Sequence, residues 1–129
     1  MTKFFGDEKL AGGYSPLVLA YIGDVVYEFY VRRKLIENGN MPVDKLHRAA
    51  TALVNASAQS NSFKKIESIL TEKELGVFKR GRNTKSTVPK NAEMSDYRTA
   101  TGLESLIGYI YLSGDDLRLD EIMTLILEV

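Results

Sequence analysis

The stretch that decides the fold is YIGDVVYE, residues 21–28. It lies inside a longer apolar segment, residues 17–31, whose only charged members are Asp24 and Glu28. Ser15-Pro16 ahead of it is a helix start, with a hydroxyl as cap and a proline where no amide donor is needed. Asn38-Gly39 after it can end the helix. The spacing therefore predicts one helix from about 16 to 37, apolar on nearly all sides before Arg32 and so expected at the centre of the core. An aspartate at the middle of such a helix is either neutralised by a partner or is the purpose of the segment.

The composition bounds what surrounds that helix. The chain has 129 residues, 44% hydrophobic and 26% charged, which is the profile of a single globular domain. It contains no cysteine, which excludes disulfides and thiolate metal sites. No basic patch leads into an apolar run at the N-terminus, so no secretory leader is expected. Two carboxylates interrupt the longest apolar run, which argues against a membrane span. A cytoplasmic protein is expected. Lys plus Arg and Asp plus Glu both number 17, yet the charges are not mixed evenly. Residues 79–90 hold five bases (Lys79, Arg80, Arg82, Lys85, Lys90) and no acid, whereas residues 115–129 hold five acids and one base.

The rest of the chain also reads as helices, with no alternation of the strand kind, so the expected class is all-α. Met41-Pro42 opens a pattern in which Leu46, Ala49, Ala50, Leu53 and Val54 share a face. The pattern weakens over residues 57–62 and resumes at Phe63, Ile66 and Ile69, giving one kinked helix or two. Thr71 and Glu74 form a capping box, opening a short helix through Phe78 that fades at Gly81. Residues 81–95 form the one long irregular stretch, and long loops in small domains are usually functional or disordered. Ser95 or Asp96 is expected to cap the next helix, which Gly114 closes. A last helix over about 117–128 places Leu119, Ile122, Met123 and Ile126 on one face.

A second helix repeats the oddity of the first. Residues 100–112 are apolar apart from Glu104, Thr101 and Ser105. Taken alone, each acid could be a core carboxylate bonded to a hydroxyl or an amide. Taken together, they suggest a shared cation. Packed helices lie roughly 8–10 Å apart, within reach of two acidic side chains. Two bare carboxylates about 4 Å apart repel by about 4 kcal/mol at an effective dielectric near 20. A hard divalent ion such as Mg²⁺ removes that repulsion. Glu28, one turn after Asp24, is either an ion-pair partner of Arg32 or a third acid that helps hold the ion indirectly. The basic run is either a solvated surface or a phosphate-contacting one, with Arg80, Arg82, Asn83, Lys85 and Lys90 as its candidates. His47, the single histidine, has no nucleophile beside it and reads as a helix-surface or satisfied polar residue. The tyrosines at 21, 27, 30, 109 and 111 read as core or subunit contacts.

These residues also carry a resemblance. YIGDVVYE is similar to the signature helix of the ribonuclease III family, which is built around an acid-containing LGD. LESLIGYIYL is similar to that family's second acidic helix, which typically reads VEALIGAIYL. SPLVLAYIGD, the Leu46-His47 region, RGRNTKSTVPKN and residues 97–101 add to the likeness. The chain resembles most closely the compact Mini-ribonuclease III branch, a catalytic domain with no double-stranded RNA-binding domain after it. The resemblance implies an all-α, ribonuclease III endonuclease-like single domain over residues 1–129. It implies a homodimeric endoribonuclease that uses Mg²⁺, with Mn²⁺ as a substitute, to cut double-stranded RNA and leave 5′-phosphate and 3′-hydroxyl ends. Asp24 and Glu104 match the family's two central metal-binding acids. The family's two further acids correspond to Ala20 and Thr101, which leaves the number of bound ions open. The implied substrate is the precursor of large-subunit (23S) ribosomal RNA, with a ribosomal protein as a possible partner. Two other classes remain open: a non-catalytic dimeric helical module that binds RNA or a ribosomal protein, favoured by Ala20 and Thr101, and a helical phosphohydrolase acting on nucleotides.

Overall fold

The computed structural model describes residues 7–128. The expected lack of a secretory leader concerns the first residues of the chain, which lie largely outside that range. The elements are α1 (Glu8–Ala11), α2 (Pro16–Glu37), α3 (Val43–Val54), α4 (Ala56–Ile66), a 3₁₀ turn (Glu67–Ile69), α5 (Glu72–Asn83), α6 (Met94–Ser113) and α7 (Asp116–Leu127). There is no strand among the described residues, and the class is all-α.

Polar caps set most of these boundaries. The Ser15 hydroxyl accepts from the Val18 amide, Pro16 takes the first helical position, and Asn38 ends α2. Asn55 divides what could have been one helix. Its side-chain nitrogen donates to the Thr51 and Ala52 carbonyls at the end of α3, and its oxygen accepts from the Ala58 amide at 2.9 Å to start α4. The Thr71–Glu74 capping box is present in both directions, at 3.1 and 2.9 Å. Gly114 closes α6 in the left-handed region at φ 78°, a conformation glycine adopts without cost.

Two boundaries differ from the sequence expectation. Helix α5 does not fade at Gly81 but runs to Asn83, so Arg80, Arg82 and Asn83 are helical and the irregular segment shortens to residues 84–93. Gly81 is where α5 meets α6: a Cβ there would lie 2.4 Å from the Ser105 hydroxyl. The cap of α6 is Glu93, whose carboxylate accepts from the amides of Ser95 and Asp96 at 3.2 and 2.8 Å. A glutamate there also places negative charge at the positive end of the helix.

Helix α6 is the axis of the molecule. Ala100, Leu103, Leu106, Ile107, Tyr109 and Ile110 are buried, and α1, α2, α4, α5 and α7 pack around it. Phe63 of α4 stacks on Phe78 of α5, with ring centroids 3.7 Å apart. Leu119, Ile122, Met123 and Ile126 of α7 close the base of the core. Arg118 ties α7 to α5 through a bidentate pair with Glu74 at 2.8 and 2.7 Å. Helix α2 is not wholly enclosed as expected. Leu19, Val26, Tyr27 and Val31 face the core, while Leu17, Val18, Tyr21, Val25 and Phe29 are exposed.

Candidate active site

The site begins with two glycines. At the crossing of α2 and α6, a Cβ on Gly23 would lie 1.8 Å from the Glu104 carbonyl oxygen. A Cβ on Gly108 would lie 2.0 Å from the Leu19 carbonyl oxygen. Only residues without side chains permit backbones to approach so closely. The crossing therefore sets Asp24, next to one glycine, beside Glu104, whose own carbonyl abuts it.

The Asp24 carboxyl is close enough to that of Glu104 to act on it. Burial, and then the hydrogen bond and charge of Asp24, push the Glu104 carboxyl up to about 8, against the opposing donor from Gln59. That donor is the Gln59 side-chain nitrogen of α4, 3.3 Å from Glu104 Oε2. The pair is asymmetric. Glu104 is largely enclosed, whereas Asp24 is exposed on the open side of α2, so it is not the core acid that its apolar neighbours suggested.

Ala20 and Thr101, the positions where further family acids were expected to be missing, are both buried. The Thr101 hydroxyl donates to the Tyr97 carbonyl at 3.1 Å within α6. Glu28 does not join the acid pair: it holds Arg32 in an ion pair at 2.6 Å. No cluster of three or more acids or histidines suited to a metal occurs among the described residues. The two acids and Gln59 are thus the polar groups that α2, α6 and α4 bring together. Tyr27 backs the site from the core side, its buried hydroxyl donating to Ser62 Oγ at 3.2 Å.

The basic candidates divide. Arg82 and Asn83, at the end of α5, line a groove with Glu93, Met94, Ser95, Arg98 and Thr99 at the start of α6. Arg82 lies over the Phe78 ring at 5.6 Å and donates to Asn83 Oδ1 at 3.2 Å, which holds the guanidinium against the helix. Arg80, Lys85 and Lys90 are exposed, the latter two on the irregular segment. Arg98 is a cation that the sequence reading passed over, because it lies eight residues beyond the basic run. Gln59 was missed as well, since a glutamine in the weakly patterned residues 57–62 looks like surface. His47 is exposed on α3 at the rim of an apolar hollow formed with Leu35, Ile36, Val43, Leu46 and Ala50. No described helix is long and apolar enough to cross a membrane.

The matching family and the named relatives point to one family. The Ribonuclease III domain matches residues 17–115, a span containing both acids, Gln59 and the basic groove. The Mini-ribonuclease 3 of Clostridium tetani is 52% identical over 135 residues, covering 100% of this chain and 89% of that protein. The Mini-ribonuclease 3 of a Thermoanaerobacter species is 48% identical, covering 89% of this chain and 82% of its own length. A crystal structure of a Fusobacterium nucleatum protein superposes with a TM-score of 0.83 at 32% identity, covering 91% of this chain and 96% of that one. With its fold, its paired acidic helices and these relatives in accord, the chain belongs to the ribonuclease III family.

Proposed function

We propose that the protein is a Mg²⁺-dependent endoribonuclease that hydrolyses double-stranded RNA, with Asp24 and Glu104 as its metal-holding acids. The observation that carries this is the juxtaposition of the two carboxyls at the Gly23–Gly108 crossing. Without a cation, Glu104 relieves the crowding by keeping a proton near neutral pH. A hard divalent ion suits that all-oxygen donor set and takes the proton's place. Mg²⁺ commonly retains several waters, so the loss of family acids at Ala20 and Thr101 is compatible with a working site. Mn²⁺ would serve as a substitute.

A bound ion would supply charge neutralisation at the scissile phosphate and an acidified water for in-line attack, leaving 5′-phosphate and 3′-hydroxyl ends. The chain's own residues do the rest. Asp24, open to solvent, faces the side from which a phosphate can arrive. Arg82, Asn83 and Arg98 line a groove in which a phosphate backbone can lie, with Arg80, Lys85 and Lys90 around it. Duplex RNA suits such a surface, since it is recognised mainly through its phosphates, 2′-hydroxyls and shape. The substrate we propose is precursor 23S ribosomal RNA in the cytoplasm, with a homodimer as the active form, on the resemblance of the sequence motifs to the Mini-ribonuclease III branch.

The test is cleavage of a duplex RNA with and without Mg²⁺ by wild type, Asp24→Asn and Glu104→Gln. Both variants are expected to lose cleavage by at least about a thousandfold while binding the duplex as wild type does, since the acids hold metal rather than RNA. Cleavage by either variant at the wild-type rate would refute the assignment. Binding without cleavage by the wild type in Mg²⁺ would favour the non-catalytic RNA-binding module instead.

A further inference from the structure

We infer that Gln59 is a positioning residue for the acid pair: it commits one oxygen of Glu104 to a neutral donor and leaves the other facing Asp24 and the cation. The inference rests on reading Asp24 and Glu104 as a cation site. Gln59 lies on α4 with 2% of its surface exposed, among the few polar residues that the core encloses. A buried amide needs a partner, and its side-chain nitrogen finds one at Glu104 Oε2, 3.3 Å away. The α4 backbone that carries it is anchored by Phe63, stacked on Phe78, and by buried Ile66.

The chemistry explains why an amide suits this place. The Glu104 main chain is fixed against Gly23, but its side chain keeps three torsions and is pushed by the charge of Asp24. A lysine at 59 would pair with the carboxylate and compete with the cation. A third carboxylate would add to the crowding. A glutamine restrains the acid and leaves its charge available. Groups that orient a metal ligand in this way typically carry a 10–100-fold effect on metal affinity.

The test is titration of the metal-free full-length chain with Mn²⁺, without RNA, by calorimetry, together with melting temperatures in chelator and in excess Mn²⁺. Gln59→Met keeps the size of the side chain and removes the donor. It is expected to bind Mn²⁺ about tenfold or more weakly than wild type, and to gain less melting temperature from the ion. Gln59→Asn, whose amide stops one methylene short, is expected to move the same way and serves if the methionine variant does not fold. Equal Mn²⁺ affinity in wild type and variant overturns the role of Gln59, including where the variant melts lower in chelator, which is the signature of packing alone. Glu104→Gln separates the two levels: if it binds Mn²⁺ as tightly as wild type, the cation site itself is wrong and this inference falls with it.

Discussion

At the residue scale the informative event is an acid set in an otherwise apolar helix, on two helices that meet. Asp24 and Glu104 were visible in the sequence because each breaks a long apolar run. Their unequal fates were not, since burial depends on which face of each helix meets a neighbour. Glu104 carries the desolvation, and this makes a pH signature. Its carboxyl sits near the ordinary 4.5 in the unfolded chain and is pushed up to about 8 when folded without metal. Between those values the unfolded chain has released the proton and the native one still holds it. Native stability therefore falls as pH rises through that window. Glu104→Gln carries no such proton. In chelator, the variant is expected to gain melting temperature relative to wild type from about pH 5 to about pH 8, and Mg²⁺ at the upper pH is expected to raise the wild type alone. Thermal melts at three pH values check it, and a constant difference between the two proteins would mean that Glu104 titrates normally. Gln59 left no comparable trace in the sequence, because an uncharged polar residue in a polar run does not reveal its direction.

At the element scale, cap chemistry proved the most readable part of the chain. Ser15-Pro16, the Thr71–Glu74 box and Gly114 each bound a helix where the sequence predicted. The misreadings share a cause. Gly81 reads as a helix end in the sequence because glycine weakens helices, but in the fold it is a contact surface for Ser105 and Gly102. The rest of a basic cluster was likewise hidden, since Arg98 joins Arg82 only once α5 and α6 are side by side. The same distinction between glycines is measurable. Gly23→Ala would drive a methyl into the Glu104 carbonyl, against backbone that cannot yield. It is expected to destabilise the protein by about 2 kcal/mol or more, by forcing apart the helices that hold the acids. Gly76→Ala meets only the end of the Arg80 side chain, at 3.5 Å. Mid-helix glycine is a poor choice there, so the change is expected to stabilise by roughly 0.5–1 kcal/mol. Urea unfolding of the two variants measures both, and destabilisation of similar size would show that the close crossing does not govern the first.

At the scale of the whole molecule, the open face of α2 is the outstanding feature. Leu17, Val18, Tyr21, Val25 and Phe29 are exposed along one side of the helix, with Tyr21 81% accessible. A helix apolar all round looked like a core helix in the sequence, because the pattern is the same whether the second face meets the same chain or another. A contiguous apolar stripe of this kind normally marks an interface. A helix packed against its own copy around a two-fold axis is the simplest way to cover it. Asp24 lies beside the stripe, flanked by Tyr21 and Val25, so such pairing would enclose the exposed half of the acid pair and set two sites in fixed relation, as cutting both strands of a duplex requires. The expected mass in solution is about twice 14.4 kDa. Val25→Lys combined with Phe29→Lys places two like charges per chain in the contact, and is expected to give a helical monomer of 14.4 kDa. Sedimentation equilibrium with circular dichroism decides between the outcomes. A wild type that sediments as a monomer, or a double variant that still pairs, would mean that the stripe is covered by something other than a second copy.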